Sequence, residues 1–488
     1  MSPQSLNITQ EAQILEVLLK STASSVVPLM LLESFIAGSL CAFVPLGTYF
    51  LWVKMSSFPR THFISVLWII LVTIILHWAF SLRQLESTIS GRSLELSVSL
   101  SDLDRALVNL SGPGNGEYEY YEAIYSSYSA YGEAWDVYFP LVTETVLFGL
   151  SSTLFVISAT ASFRHHRSQR RLACFTLVIP IMALFMYALS LAHWIISLQF
   201  FTAKTNFANP RPDGTSVEVF DRWFSTLDTL QVSLLTLFSF NVVMSDSIVL
   251  WRMCVVWDRA WAVLALSTFF FLAILGLNLA NIVELAGFDG FNFWFFDSLN
   301  RNDDEIVATY GKVTVGIGAA FVSLASNLSA TVLVWIRIWS RRRQFLRHPR
   351  TVVERFLELL VDSGVFYSVI WLLYCISFFR PVTTQVPLSS SLRITAVSHL
   401  DAAMAQITSI YPLIIFILVA LDKFHHSRGP QLLRNDQSRK ERDQAVTVTF
   451  EIDVERSVVQ SPGSALPMVH QHSDEDLSAK DETKFLGL

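Results

Sequence analysis

The chain has 488 residues, of which 52% are hydrophobic and only 16% charged, with a mean hydropathy of +0.45. A soluble domain carries roughly a quarter charged residues, so this balance excludes an ordinary soluble fold and points to lipid as the solvent. The formal charge of −6 is too small to imply a nucleic-acid partner. Cys41, Cys174, Cys254 and Cys375 all lie within or at the edge of apolar runs. No external disulfide framework and no CxxC-type metal site is therefore expected.

In chain order, residues 1–25 form an extracellular N-terminus ahead of an apolar run too long for a signal-peptide core. Runs near 26–53 and 62–83 make an N-terminal transmembrane hairpin. Residues 84–137 follow as an acidic outer loop with a Leu stripe (Leu96, Leu100, Leu103, Leu107, Leu110) and a Tyr-rich stretch (Tyr118, Tyr121, Tyr125, Tyr128). Seven further runs, near 138–162, 172–200, 228–256, 261–285, 310–338, 356–379 and 399–421, make a seven-span core over 138–421. Each approaches the 20 apolar residues that cross a bilayer. The eighth run overall is the weakest, because Arg355, Glu358 and Asp362 make its start amphipathic. The tail, 422–488, is rich in Ser, Asp and Glu and reads as disordered and cytosolic. The expected fold is an all-α polytopic transmembrane bundle of about nine spans.

Orientation follows from the loops. RHHRSQRR (164–171), Arg252 with Arg259, and RRRQFLRHPR (341–350) sit on one side, while the alternate loops are acidic. Basic loops face the cytosol, which puts the N-terminus outside and the C-terminus inside. The sequons at Asn7 and Asn109 fall on the same outer side and are candidate glycosylation sites.

Polar residues inside the spans fall into two tiers. Glu33 stands five residues before Gly38, and Glu144 five residues before Gly149; in each case the following span ends in His-Trp, at His77-Trp78 and His193-Trp194. The pattern reads as a parallel duplication of one hairpin. Each Glu and its His lie roughly 10 Å below the outer boundary, where an ionisable group needs a partner or water. Two pairs are expected, Glu33–His77 and Glu144–His193, either as ties between helices or as protonation-sensitive sites. The inner tier holds Asp246, Arg252, Asn327 and Asp362. Asp246 and Arg252 do not share a helix face, so Asp246 looks to Asn327 or Asp362, and Arg252 to Asp362 or the interface. Arg341, Arg342, Arg343, Arg347 and Arg350 form a cytosolic basic site for anionic lipid or an effector.

LLESFIAG (31–38), DSIVLWRMCVVW (246–257), SNLSATVLVWIRIW (326–339), LLVDSGVFYSVIW (359–371) and QITSIYPLIIFILV (406–419) occur in this order. They resemble, in the same order, stretches of an uncharacterised family of seven-span, receptor-like integral membrane proteins abundant in mushroom-forming fungi. Asp362 stands where that family usually has Glu, and the extra hairpin and the 84–137 loop depart from its pattern. The resemblance implies a seven-span core and no established activity. Rhodopsin-like marks are missing: there is no Asp/Glu-Arg-Tyr at an inner helix end and no Asn-Pro-x-x-Tyr.

No H-E-x-x-H, G-K-[ST] or G-x-S-x-G motif occurs, and His165-His166 and His425-His426 lack acidic partners at i+3 or i+4. The chain is therefore expected to be no enzyme and to bind no metal or cofactor. Its expected partners are the lipid bilayer, an extracellular ligand of unknown chemistry, and a cytosolic effector or anionic lipid. The functional expectation is a receptor-like sensor signalling through cytosolic loops and tail. The alternative is a small-solute or proton-coupled transporter using the Glu–His pairs. The membrane it occupies, plasma membrane or endomembrane, is left open.

Overall fold

The structure, a computed structural model, describes residues 8–54, 60–89, 116–168, 173–207, 217–287, 308–344, 352–379 and 396–418. All of them belong to one compact unit, Met1–Phe424. Inside hydrocarbon every backbone N–H and C=O must be bonded within its own segment, and all regular structure among the described residues is helical. The helices are α1 (Ile8–Lys54), α2 (Arg60–Ile89), α3 (Gly116–Ser168), α4 (Ala173–Phe207), α5 (Val217–Val256), α6 (Trp261–Leu285), α7 (Thr314–Gln344), α8 (Val352–Ser377) and α9 (Ala396–Leu418). Eight of these hold a segment long and apolar enough to cross a membrane. The exception is α8, whose apolar part, Val361–Ser377, is short because its start is charged.

One boundary differs from expectation. The Tyr-rich stretch is the first part of α3, which runs unbroken for 53 residues through Pro140. Its helical Tyr spacing continues into the third span through Gly132, with no Pro or Asn between them to end the helix. Asn7, Asn109, the Leu stripe, the 422–488 tail and the side chains of the 341–350 cluster lie outside the described residues.

Burial sorts the helices. The α9 span is 83% buried, and α2 is 6% buried with Trp68, Ile69, Val72, Leu76 and Phe80 on its surface. A helix apolar on every side belongs in the middle of a bundle or against lipid; α9 takes the first place, α2 and α6 the second. Exposed Trp251, Trp261, Trp335 and Trp339 gather at the end predicted to be inner, where indole rings favour the membrane interface. At that end α5 turns into α6 through Asp258 (φ 50°) and Arg259 (φ 59°), and Arg337 of α7 holds the Asp258 carboxylate at 3.1 Å.

The two N-terminal hairpins pack as a pair related by a pseudo-two-fold. A Cβ placed on Gly38 of α1 would lie 1.8 Å from the Val146 carbonyl oxygen of α3, and one on Gly149 would lie 2.2 Å from that of Phe35. Phe35 stands two residues after Glu33, and Val146 two after Glu144, so the contact is reciprocal, as in an isologous interface. Ser39 Oγ donates to the Gly149 carbonyl at 3.1 Å across the same crossing. The internal geometry repeats too. Trp78 Nε1 donates to Ser34 Oγ and Trp194 Nε1 to Thr145 Oγ1, each at 2.9 Å. Each hydroxyl in turn donates to the carbonyl four residues back. The repeat read in the sequence is thus matched by a repeat of these contacts.

Candidate functional site

The polar core is built around α9. In its outer tier the Glu144 Oε1 of α3 lies 2.7 Å from His193 Nδ1 of α4, both side chains 2% exposed. The same oxygen accepts from Gln406 Nε2 of α9 at 3.0 Å. Gln406 Oε1 accepts from Ser190 Oγ, and Gln406 Nε2 also reaches the Ser190 carbonyl at 3.3 Å. A carboxylate, an imidazole, an amide and a hydroxyl from three helices thereby satisfy one another where water is scarce. A cavity of about 10 Å³ adjoins Glu144, with Ser197 as its other polar side chain among Val137, Leu141, Phe200 and Leu234. That is room for one water molecule at most. Nearer the end expected to be outer, Thr143 Oγ1 and His399 Nδ1 of α9 are 2.7 Å apart.

The inner tier is a second set. Asn327 Nδ2 of α7 donates to Asp246 Oδ1 of α5 at 2.8 Å. Arg252 is 4% exposed and its guanidinium sits 6.0 Å from the Tyr411 ring centre of α9, a cation–π contact in a dry setting. Tyr411 stacks on Tyr367 of α8 at 4.1 Å with 6° between the planes, and the Tyr367 hydroxyl is 3.1 Å from Ser245 Oγ.

Both tiers are therefore fastened to one helix, at Gln406 and Tyr411. Between those contacts and the end of α9 comes Pro412. Its missing N–H leaves the Thr408 carbonyl without its helical donor, which is where helices bend. Thr408 and Ser409 turn their hydroxyls to the carbonyls of Ala405 and Gln406, three residues back. Asn241 Nδ2 of α5 donates to the Ala405 carbonyl at 3.3 Å from the side.

Two expected pairings are corrected. Glu33 and His77 form no hydrogen bond or ion pair; His77 is exposed on α2 while its neighbour Trp78 faces α1. Depth placed the two side chains level, but successive helical residues diverge by about 100°, and α2 turns the indole inward. Arg252 does not pair with Asp362 either. Asp362 is exposed, and Gly364, about 200° round the helix, is the α8 residue that faces Arg252 and Thr331. Of the two partners considered for Asp246, the structure supplies Asn327.

Residues not singled out from the sequence complete the core. Gln406, Ser190 and Tyr411 are uncharged, so a search for ionisable groups passes over them. An amide or hydroxyl in mid-span is nevertheless a tie between helices by default, and Gln406 was visible on that ground. A third cluster was also missed. Residues 308–313, just before α7, are irregular and, apart from half-buried Lys312, buried, and Tyr310 donates its hydroxyl to Asn278 Oδ1 while its N–H donates to Tyr374 Oη at 3.2 Å.

Among the described residues no group of three or more His, Cys, Asp or Glu could hold a metal ion. Fold and core together define a multi-pass helical membrane protein with a buried polar spine. No protein-family model, curated protein or solved structure matches the chain.

Proposed function

We propose that the chain is a receptor-like membrane sensor in which α9 couples an outer polar tier to an inner one. The observation that carries this reading is the double anchorage of α9, at Gln406 on Glu144 and Ser190 and at Tyr411 beside Arg252. Pro412 lies one residue beyond the second anchor. A switch needs an element with two arrangements and differential contacts in each. A proline-weakened helix whose polar contacts can exchange donors is such an element. The loop charges and the two sequons support an N-outside, C-inside orientation, so a ligand would bind at the outer end and the readout would reach loop 341–350 and the tail. The motif order that resembles the seven-span family supports the same layout.

A second reading has its own observation. Glu144 and His193 are within hydrogen-bond distance beside a water-sized cavity, an arrangement that proton-coupled transporters use.

One preparation separates the two readings. The full-length protein is reconstituted in vesicles loaded with a pH-sensitive dye, and Cys254, partly exposed near the inner tier, is labelled with maleimide. For a sensor, Gln406→Leu changes the Cys254 labelling rate several-fold, and an imposed pH gradient drives no Glu144-dependent proton flux. Flux that Glu144→Gln abolishes, with labelling unchanged by Gln406→Leu, would replace the sensor by the transporter.

A further inference from the structure

The two hairpins carry the same acid and the same base, yet only the second brings them together. Glu144 and His193 meet within one chain. Among the described residues Glu33 and His77 have no hydrogen-bonding partner. One Glu33 carboxylate oxygen is enclosed without a partner while the residue still reaches the surface, in electrostatic reach of Tyr138. His77 stands on the lipid-facing side of α2, the least covered span of the bundle. Each lies nine residues inside the outer end of its span, Ser24–Tyr49 and Ile64–Glu86. That is about 13 Å of helix, too far for an imidazole to reach the headgroups. Ionisable side chains at such depth face a bundle interior, a water-filled space or a partner. Among the described residues of one chain the imidazole faces none of these.

We propose that a second copy of this chain covers the α1–α2 face, with the Glu33 of each copy paired to the partner's His77. Symmetry argues for this occupant. Two copies inserted in the same orientation are related by an axis along the membrane normal, and rotation about that axis preserves depth. An isologous contact between two different residues thus requires them to lie at one level. The Trp78–Ser34 hydrogen bond fixes that level, because it joins the residues that immediately follow His77 and Glu33. The pair is also complementary in charge, and the second hairpin shows that this Glu and this His at this spacing make a 2.7 Å contact when a neighbour turns them together. Trp68, Leu76 and Phe80 around His77 supply apolar surface for the rest of the interface.

The test is single-molecule photobleaching of the full-length protein in lipid bilayers over a range of protein-to-lipid ratios. The wild type is expected to bleach in two steps, and His77→Leu and Glu33→Gln are each expected to weaken the dimer about tenfold, the worth of two modest intramembrane hydrogen bonds. The exchange Glu33→His with His77→Glu restores it. Mixed copies with Glu33→Cys on one tag and His77→Cys on another, with the native cysteines replaced, form a disulfide between tags. Because His77 is exposed, His77→Leu leaves folding intact, as Phe269→Ala on the distant α6 surface does while keeping the dimer. One-step bleaching of the wild type at every ratio overturns the proposal. So does a dimer that His77→Leu leaves unchanged, or a cross-link that joins 33 and 77 only within one chain.

Discussion

Replacing Gly149 by alanine should destabilise the protein by about 2 kcal/mol, through a single steric conflict. The added Cβ would lie 2.2 Å from the Phe35 carbonyl oxygen, and a comfortable carbon–oxygen contact is about 3.3 Å. The α1–α3 crossing must therefore open by about 1 Å. Both contacts are with backbone, so no rotamer change relieves them. Overpacking of this kind costs about 1–3 kcal/mol, and the Ser39 hydrogen bond to the Gly149 carbonyl, at about 0.6 kcal/mol, is strained as well. Against this, alanine is the better helix former by about 1 kcal/mol. Gly38→Ala meets the reciprocal contact at 1.8 Å and should lose a similar amount. Gly47 and Gly276 are the internal controls, because an added Cβ at either meets nothing within 4 Å; Gly47→Ala and Gly276→Ala should be neutral or stabilising by up to about 1 kcal/mol. Unfolding by titration with SDS in mixed micelles, followed by tryptophan fluorescence, measures all four. If Gly149→Ala proves as stable as Gly47→Ala, the close reciprocal packing of the two hairpins is wrong.

Two other outcomes follow from the same contacts. Asn327→Leu strips the Asp246 carboxyl of its amide donor and should cost about 2–3 kcal/mol in the same titration, whereas Asp246→Leu with Asn327→Leu should cost less, because a buried polar group that loses its donor is worse than an apolar side chain in its place. A single mutant no worse than the double would show that the pair carries no such burden. Treatment with an endoglycosidase should shift the electrophoretic mobility of protein expressed in a eukaryotic host, with part of the shift lost in Asn109→Gln and none in Asn327→Gln; no shift at all would contradict the orientation read from the loops, and a shift that Asn327→Gln removes would contradict the enclosure of Asn327 against Asp246.

The fold was legible where physics leaves one answer. Long apolar runs have to become helices in hydrocarbon, so the spans could be read directly, and even the weak eighth was marked by Arg355, Glu358 and Asp362. Depth was legible as well, because rise per residue is fixed, and Glu144 and His193 are level for that reason. Rotation about each helix axis was not. It depends on which neighbour encloses the helix: α4 lies between α3 and α5 and turns both His193 and Trp194 inward, whereas among the described residues α2 packs mainly on α1 and of His77 and Trp78 turns only the indole inward. The same limit explains Asp362, which lies at a depth open to Arg252 but on the opposite side of α8 from Gly364. The role of α9 was hidden differently. The α9 residues that anchor the two tiers, Gln406 and Tyr411, carry no charge, so that only the packing reveals how many helices they tie together.

The claim that α9 couples the two tiers is tested most directly by a double-mutant cycle between them. Glu144→Gln weakens the outer anchor, and Tyr411→Phe removes the hydroxyl beside Arg252 in the inner one; the two residues share no hydrogen-bond partner in the structure. Independent sites add to within about 0.3–0.5 kcal/mol. If α9 moves as one element, the free-energy change taken from the Cys254 labelling rate of the double mutant will depart from the sum of the singles by more than that. Strict additivity would mean that the tiers are separate structural ties and that α9 transmits nothing between them.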